Sequence, residues 1–395
     1  MLPEVIKDSP DLLQLKQEGY ELEIKEGFLL VHSVPLVNGK RQVTKGTLVC
    51  PLDLAGNKTV QPKSHVMYSV GAAPCDINGN SLTNIYSGAN VQDLGNGVII
   101  EHGYSTKPPC GYYKDYYEKV THYVGVISSP AKELDPSVTE KTFRVIESDD
   151  PNCVFHYIDS NSSRSKIGSV SSKLEGYKIA IVGLGGTGSY VLDFLAKTLV
   201  AEIHIFDGDT FGQHNAFRSP GAPSIDDLRK QEKKVERHSG IYSAMRKNIV
   251  PHPYHIDSNN VSELEPMDFV FICGDDGPMK KMMVDFLRPR KKPFIDVGIG
   301  MYVKHDKLAG HIRTTLFDGE RGDHLDSSID YAKAGDDAYS TNIQIAELNA
   351  MNAVHAVVKW KKLVGFYQDL GDELHSLYSI NDGILFNEDF RARVC

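Results

Sequence analysis

Side chains that could bind a polyphosphate recur in order along the second half of the chain. Asn215 and Arg218 are three residues apart, so on a helical turn they would share one face. Lys234 lies near the start of a later helix-forming run, and Asp275 follows an apolar, strand-like run. Cations of this kind neutralise phosphate charge, and a carboxylate can hold a magnesium ion. The set therefore indicates phosphate chemistry rather than hydride transfer.

A glycine-rich turn precedes these residues and predicts where the phosphates would lie. Lys178–Val182 has strand character, and residues 190–197 are helix-forming. Glycines let the backbone approach phosphates closely, and the free N–H groups at the start of the helix point at the anionic oxygens. The glycines of this turn are Gly183, Gly185, Gly186 and Gly188.

Carboxylates follow the predicted strands of the same region. The strand-like run Glu202–Phe206 ends at Asp207, about twenty residues past the glycines, where an acid commonly accepts hydrogen bonds from a ribose. Asp209 comes two residues later, and Asp276 lies beside Asp275 after the later strand. Acids at the carboxyl ends of strands in an open α/β sheet converge on one ligand crevice. These features predict an α/β, Rossmann-like nucleotide-binding fold.

On these segments, the second half of the chain resembles the ThiF/MoeB superfamily, the enzymes that adenylate ubiquitin-like and sulfur-carrier proteins. The resemblance begins near residue 160, ends near residue 365 and does not include the N-terminal region. It implies a ThiF-type ATP-binding adenylation domain over residues 151–395, preceded by an α+β domain over residues 1–150. The matching segments are Gly183-Leu-Gly-Gly-Thr-Gly-Ser189, Asp207-Gly-Asp209, Asn215-Ala-Phe-Arg218, Lys234-Val-Glu236 and Cys273-Gly-Asp-Asp276.

The resemblance implies a role for each of these side chains around ATP and Mg²⁺. The glycines would hold the phosphates, and Asp207 would hold the ribose. Arg218 and Lys234 would neutralise the triphosphate with the help of Asn215. Asp275 would coordinate magnesium. The predicted cofactor site also includes Asp209 and Asp276.

An arginine upstream of the first strand is also used in this family, where one subunit often donates it to another across a dimer. Arg164 is the arginine close before Lys178–Val182, in a matching Arg-x-x-Ile context. By the resemblance it joins the catalytic residues, and a homodimer is expected. The apolar residues within 342–364 predict a helix that is buried in the core or at a subunit contact.

The implied reaction is attack by the C-terminal carboxylate of a small partner protein on the α-phosphorus of ATP. Acyl-adenylate forms, pyrophosphate leaves, and the acyl group passes to a nucleophile in a ubiquitin-like conjugation pathway, with a conjugating enzyme as a further partner. Many relatives carry a cysteine for this step, but residues 317–340 contain none. Hydroxyls that could form an ester instead are Ser327, Ser328, Ser340 and Thr341. Helix capping is the simpler role for the last two.

Residues 1–150 are predicted to form a separate α+β domain. A short helix at residues 11–18 precedes strand-like runs, and Asn38-Gly39 is a hairpin signal between two of them. A helix leading into an antiparallel meander is similar to a ubiquitin-conjugating domain. Its candidate reactive side chains are Cys75, Cys110, His102 and Ser105. The alternative is a partner-docking or oligomerising module, in which these are loop and core residues.

The composition is that of a folded, acidic globular protein. Of 395 residues, 41% are hydrophobic and 24% are charged, and the formal net charge is −9. An acidic chain has no general attraction for nucleic acid. No apolar run is long enough to span a bilayer and the N-terminus lacks a signal-peptide pattern, so we expect a cytoplasmic protein without a membrane partner. The six cysteines are too widely spaced for a local zinc site.

Two other functions remain open on this sequence. An NAD(P)-dependent oxidoreductase would use the glycine turn and Asp207, but it would leave Arg218, Lys234 and Asp275 without a function. A non-catalytic ThiF-like scaffold would keep the fold and recruit a partner. The joint presence of the two cations and the carboxylate favours the adenylating enzyme over both.

Overall fold

The computed structural model describes residues 4–95, 97–145, 152–157, 159–165, 167–332 and 343–388. Contacts between Cα atoms divide the chain into two compact units. The first unit contains residues 1–150 and 157–165, and the second contains residues 151–156 and 166–395. Each unit has its own sheet and its own hydrophobic core.

The first unit is an antiparallel sheet covered by helices. Its helices are α1 (Glu4–Asp8), α2 (Pro10–Gln17), α3 (Tyr116–Leu134) and α4 (Ser160–Arg164). Its strands are β1 (Glu21–Lys25), β2 (Phe28–Val37), β3 (Val43–Pro51), β4 (Leu54–Ala55), β5 (Lys58–Thr59), β6 (Val66–Val70), β7 (Tyr86–Asp93) and β8 (Ile99–Ser105). The six longer strands pair antiparallel in the order β1-β2-β3-β6-β8-β7, and β4 pairs with β5.

Helix α3 supplies much of the first unit's core. The Asp115 side chain caps its start by accepting a hydrogen bond from the Glu118 N–H at 2.8 Å, an interaction worth about 1 kcal/mol. Apolar residues recur along α3 at helical spacing and pack with α2 and β2. The buried residues that meet there include Leu12, Leu15, Leu29, Val31, Tyr116, Val120, Tyr123, Val124 and Ile127.

The second unit alternates strands and helices before it ends in antiparallel strands. Its helices are α5 (Gly168–Ser171), α6 (Gly186–Ala196), α7 (Gln213–Ala216), α8 (Ile225–Arg229), α9 (Lys234–Ser243), α10 (Gly277–Leu287), α11 (Leu325–Ser328) and α12 (Ala346–Leu363). Its strands are β9 (Lys178–Val182), β10 (Glu202–Phe206), β11 (Ile249–His252), β12 (Phe269–Ile272), β13 (Phe294–Lys304), β14 (Lys307–Phe317), β15 (His375–Ser379) and β16 (Ile384–Glu388).

The strand order of this sheet creates a ligand crevice. The order is β11-β10-β9-β12-β13-β14-β15-β16, and the first five strands run parallel. The chain moves outward from β9 through β10 and β11, and then returns to the other side of β9 as β12. In open α/β sheets such a reversal leaves a crevice beyond the carboxyl ends of the strands. Strands β15 and β16 continue the sheet beyond β14 with antiparallel pairing.

The central strand β9 is buried on both faces, as parallel strands usually are. Ile179 and Ile181 pack towards α6 and α12, where Trp360 is fully buried. Ala180 and Val182 join the core on the α10 side. Helix α12 thus lies in the core of its own unit, and the homodimer stays a prediction. In the described part of the chain, no helix combines the length and the apolar character needed to cross a bilayer.

Arg246 fixes the end of α6. The fully buried guanidinium donates hydrogen bonds to the carbonyls of Val200 at 2.6 Å, Thr198 at 3.3 Å and Leu195 at 3.5 Å. Burial lowers its pKa to about 10. The last carbonyls of a helix have no partner within the helix, so this side chain satisfies groups that would otherwise be buried unpaired.

We expect Arg246→Met to lower the free energy of unfolding by on the order of 3 kcal/mol, because several buried carbonyls lose their donor. Chemical denaturation of the full chain measures the loss. Arg229→Met is the matched control, since the Arg229 side chain is 75% exposed and forms a surface ion pair with Asp226. Equal stability of the two variants would contradict the role given to Arg246.

Candidate nucleotide site

The glycine turn after β9 is shaped by close backbone contacts. Gly183 has a φ of +91°, and a Cβ atom at this position would lie 2.7 Å from the backbone nitrogen of Gly274. An L-residue is strained at such a φ, and the contact leaves no room for a side chain. The turns that follow β9 and β12 are therefore in direct contact, which brings Asp275 to the same edge of the sheet.

The other glycines of the turn differ in what surrounds them. A Cβ on Gly186 would clash with Asn349 of α12, and one on Gly188 would clash with the carbonyl of Gly183. A Cβ on Gly185 would meet no atom of the described residues within 4 Å. Gly185 is the N-cap of α6, where the first N–H groups have no partner within the helix. The open face at Gly185 is thus the place where an anion could reach these N–H groups.

Asp207 connects the glycine turn to its surroundings. One carboxylate oxygen accepts from the Leu184 N–H at 2.7 Å, and the other accepts from the Asp209 N–H at 2.8 Å. Lys234 Nζ lies 3.3 Å from the first oxygen. With 5% of its surface exposed, Asp207 mainly orders protein groups. Its contact with a ribose stays a prediction, and Asp209, whose side chain is 56% exposed, is the more accessible carboxylate.

Lys234 is a buried cation between two acids. Its Nζ lies 2.6 Å from Asp209 in addition to the contact with Asp207, and its side chain is only 8% exposed. The Lys234 N–H also donates to the Asp209 carbonyl at 3.0 Å. Burial opposes the ionisation of Asp209, but the hydrogen bond from Lys234 and its charge outweigh burial, and the pKa of Asp209 is lowered. The start of α9 is therefore held against the segment after β10.

Asn215 and Arg218 present buried donors in the same region. Asn215 is 1% exposed, and its Oδ1 accepts from the Gly212 N–H at 2.9 Å. Its Nδ2, and Nε of Arg218, are buried without a hydrogen-bond partner among the described residues. A buried donor without an acceptor is costly. Oxygen atoms of a bound phosphate would supply the missing acceptors.

Burial and the nearby positive charges lower the pKa of two histidines in this region. Burial, followed by the positive charges of Arg218 and Lys234, lowers the pKa of His214. His238 is one helical turn after Lys234 and is 1% exposed. Burial lowers the pKa of His238 to about 4, with smaller effects from Arg237 and Lys234, so this ring stays neutral near pH 7. Arg218, which follows α7, and Lys234 of α9 therefore both act on His214.

The two acids after β12 have different environments. Asp276 accepts a hydrogen bond from the Met279 N–H at 2.9 Å and so caps α10, and its predicted cofactor contact stays a prediction. Asp275 is exposed beside the glycine turn. No group of three or more acidic, histidine or cysteine side chains suited to a metal occurs in the part of the chain that the structure describes. Magnesium needs only one or two protein carboxylates when phosphates supply its other ligands, so the exposed oxygens of Asp275 fit that ion.

Two sets of polar residues in the second unit were not predicted from the sequence. Asn349 of α12 accepts from Thr187 at 2.9 Å against the start of α6, although it comes from a distant, largely apolar helix. On β13, the fully buried Asp296 lies 2.9 Å from Lys280 and 2.7 Å from Arg313. The asparagine in an apolar helix is the one signal that could have indicated the first set. The second set needs the sheet order, which the sequence does not supply.

The predicted acyl acceptors in the second unit are only partly described. Ser327 donates to the carbonyl of His324 at 3.0 Å, and Ser328 ends α11. Ser340 and Thr341 lie outside the described residues. Burial, followed by the charge of Asp296, raises the pKa of Cys273, so this thiol is a poor nucleophile. An ester at one of the hydroxyls stays a prediction.

The candidates in the first unit are spread over separate contacts. Cys75 is buried, and burial raises its pKa, whereas Cys110 is exposed and its Sγ lies 3.1 Å from the Tyr112 carbonyl. His102 lies 3.4 Å from the hydroxyl of Tyr86, and Ser105 contacts His65 at 3.0 Å. Arg164 ends α4 in this unit, and its predicted role at the nucleotide stays a prediction.

Two family models match the chain. The ThiF family model matches residues 160–366, just over half of the chain, and a domain of unknown function (DUF6791) matches residues 10–160. A comparison with curated proteins gives no significant match. The ThiF match confirms the predicted resemblance and the Rossmann-like fold.

Several solved structures are similar at low identity. MccB of E. coli, solved with ATP, is 19% identical over 56% of this chain and 65% of its own, with a TM-score of 0.42. PaaA is 15% identical over 77% of this chain and 98% of its own, with a TM-score of 0.47. The E. coli tRNA N6-threonylcarbamoyladenosine dehydratase TcdA, solved with AMP, is 17% identical over 52% and 93%, with a TM-score of 0.39. The aligned region is thus about two thirds of the length of MccB.

Alanine substitutions at two glycines of the turn should differ in their effect on stability. Gly183→Ala combines a strained φ with a backbone clash and should lower the free energy of unfolding by roughly 2 kcal/mol or more. Gly185→Ala has space for its methyl group and a negative φ, so its stability should stay within about 0.5 kcal/mol of wild type. Thermal or chemical unfolding of the two proteins measures the difference, and an unfolded Gly185→Ala protein would refute the open face at that position.

Proposed function

Because the chain belongs to the ThiF family, we propose that its second unit binds ATP and adenylates the C-terminal carboxylate of a ubiquitin-like or sulfur-carrier protein. The observation that supports this proposal most strongly is the pair of buried donors Nδ2 of Asn215 and Nε of Arg218, which have no acceptor among the described residues. The charges of Arg218 and Lys234 both lower the pKa of His214, so the two cations act on one side chain of this region. A dinucleotide dehydrogenase has no need for a desolvated cluster of cations and amides at this place. A bound polyphosphate needs such a cluster, because cations and amide donors stabilise its negative charge.

The proposed binding mode assigns one group of the protein to each part of ATP. The N–H groups at the start of α6 face the phosphates across the open side of Gly185. Arg218 and Lys234 neutralise the negative charge of the triphosphate, and Asn215 donates a hydrogen bond to it. Asp207 keeps the turn in its phosphate-binding shape through the Leu184 N–H. The two cations are partly withdrawn from water, which strengthens their attraction for phosphate.

The proposed chemical step is an attack by a carboxylate oxygen of the partner protein on the α-phosphorus. A new oxygen–phosphorus bond forms, and the bond from the α-phosphorus to the oxygen bridging it to the β-phosphate breaks. Pyrophosphate takes the electron pair and leaves, and the acyl-adenylate remains. No side chain needs to give or take a proton, because the attacking carboxylate is already ionised. The chain acts through positioning and charge stabilisation.

Asp275 is the side chain that we propose to hold Mg²⁺, which screens phosphate charge when it is bound. Its carboxylate is exposed at the end of β12, directly beside the turn whose N–H groups face the phosphates. The nearby Asp276 is engaged as the cap of α10.

Three finer parts of the proposal concern partners. Arg164 would act on the nucleotide of a second copy in a homodimer. The adenylated partner would pass its acyl group to a nucleophile in a ubiquitin-like conjugation pathway, with a conjugating enzyme as a further partner, in the cytoplasm. The first unit would bind one of these partners or carry the transfer step.

Exchange of labelled pyrophosphate into ATP, in the presence of magnesium and candidate β-grasp proteins, tests the activity. Lys234→Met and Asp275→Asn should each reduce exchange by roughly a hundredfold or more, since each removes charge stabilisation in the transition state. Gly185→Ala should fold but bind ATP weakly, because its methyl group would occupy the phosphate face.

The matched controls are Lys230→Met and Asp285→Asn, whose side chains form surface ion pairs with Asp227 and Lys281. Both should keep wild-type exchange, and circular dichroism should show that every variant is folded. Reduction of NAD or NADP by the wild-type protein, without any pyrophosphate exchange, would overturn the proposal in favour of an oxidoreductase. Full exchange in Lys234→Met and Asp275→Asn would overturn the assigned site.

His214 provides an internal probe of phosphate binding. Its pKa is lowered by burial and then by Arg218 and Lys234, so a bound triphosphate that offsets these charges should raise it. NMR titration of the imidazole signals with and without ATP measures the change, with His214→Gln used for assignment. His65 is the control, because burial, Lys107 and Lys119 lower its pKa in the first unit. A pKa of His214 that ATP leaves unchanged would contradict the proposed position of the phosphates.

A further inference from the structure

A carboxylate, an imidazole and a hydroxyl form a continuous chain on the sheet of the first unit. His32 Nε2 lies 2.8 Å from a carboxylate oxygen of Glu23, and His32 Nδ1 lies 3.1 Å from Oγ1 of Thr47. The three side chains come from the neighbouring strands β1, β2 and β3. None of them belongs to the nucleotide site of the second unit.

The contacts of His32 define which ring nitrogen carries the proton. An ionised carboxylate can only accept hydrogen bonds, so Nε2 of the neutral ring donates to Glu23. Nδ1 then has its lone pair directed at Thr47, and the Thr47 hydroxyl is the donor in that contact. This is the arrangement in which an imidazole can take the proton of a hydroxyl that attacks an electrophile.

The backbone of β2 is irregular at this point. Val31 pairs with Leu48 and Val34 pairs with Gly46, so His32 and Ser33 together lie opposite Thr47 in a β-bulge. Ser33 has a φ of 57°, which is unusual for a non-glycine residue within a strand. Bulges often redirect a side chain beside a functional site. Here the extra residue allows His32 and Thr47 to meet on one face.

A cavity of about 400 Å³ opens beside this chain of contacts and is lined by both His32 and Thr47. Lys45 and Arg144 also line this cavity, and both are exposed to solvent. The neighbouring Glu21 is 3.7 Å from Arg144. Burial opposes the ionisation of Glu21, but hydrogen bonds from Thr142 and Ser33 outweigh burial and lower its pKa. The cavity therefore offers cations that could stabilise a developing oxyanion.

We propose that Thr47 is the nucleophile of an acyl-transfer centre in the first unit, with His32 as its general base and Glu23 as the residue that positions His32. The substrate class is an activated carboxylic acid, such as an ester, a thioester or an acyl phosphate. This proposal does not depend on the adenylation proposed for the second unit, although an acyl-adenylate belongs to the same substrate class.

The step conserves atoms and charge. Oγ1 of Thr47 attacks the carbonyl carbon while its proton moves to Nδ1 of His32. The bond from that carbon to the leaving group breaks, and the leaving group takes the electron pair and the proton from His32. Thr47 is left as an ester. Water or an amine can then attack the carbonyl carbon of this ester while His32 accepts its proton. The bond from that carbon to Oγ1 breaks, Oγ1 takes the electron pair and the proton from His32, and a carboxylic acid or an amide leaves.

An alkyl fluorophosphonate tests the centre without ATP or a partner protein. Attack by Oγ1 on phosphorus releases fluoride and leaves an adduct that intact mass and peptide mapping locate. We expect the full-length protein to be modified at Thr47. Thr47→Val, which keeps the β-branched shape, should not be modified at this position. His32→Gln should slow modification by roughly a hundredfold or more through loss of the base.

The Glu23→Gln variant distinguishes a role of Glu23 in positioning His32 from a purely structural role. The amide can donate to Nε2, which favours the tautomer with a proton on Nδ1, so Thr47 would lose its acceptor although the side chain keeps its shape. Modification should therefore slow as it does in His32→Gln, whereas Glu23→Asp should recover part of the rate. Thr121→Val is the control and should react like wild type, because the Thr121 hydroxyl lies on α3 and donates to the Tyr117 carbonyl. Absence of any Thr47 adduct in the wild type, or wild-type rates in Glu23→Gln and His32→Gln, would overturn the proposal.

Discussion

The nucleotide site depends on the contacts of one buried carboxylate. Asp207 accepts from the Leu184 N–H of the glycine turn at 2.7 Å and lies 3.3 Å from Nζ of Lys234 on α9. These contacts connect the turn after β9, the end of β10 and the start of α9. Removing two charges from water costs several kcal/mol per ion, so the pair is stable only because additional hydrogen bonds satisfy the carboxylate. The geometry around the phosphate region follows from this interaction more than from any surface side chain.

Much of this arrangement could be predicted because it is local in sequence. The strand, glycine turn, helix and downstream acid follow one another within about thirty residues, which is the extent of a βαβ unit. The cap at Asp276 was not predicted, although an aspartate followed by Gly277-Pro278 is a signal for the start of a helix. The ThiF match then extended the local pattern to a known family.

What the sequence could not supply depends on contacts between distant residues. Asn349 meets Gly186 and Thr187 only because α12 packs on α6, and no local rule relates residues so far apart. Strands β15 and β16 were missed because each has five residues, and the apolar residues Ile384, Leu385 and Phe386 are all largely exposed. The bulge at Ser33 depends on a positive φ angle at this residue, and a serine in the sequence does not predict such an angle. Sequence patterns therefore predicted the glycine turn but not the distant residues that pack against it.

The contact between Lys234 and Asp209 has a consequence for turnover. The ammonium group already has a counter-ion at 2.6 Å, so in the binding mode proposed above a phosphate would have to displace the Asp209 carboxylate. This competition limits how tightly the lysine can hold any anion. When a charged product departs, the Asp209 carboxylate can pair with Lys234 again. The buried ammonium group then regains its counter-ion at this poorly hydrated position. A site built in this way favours release over retention.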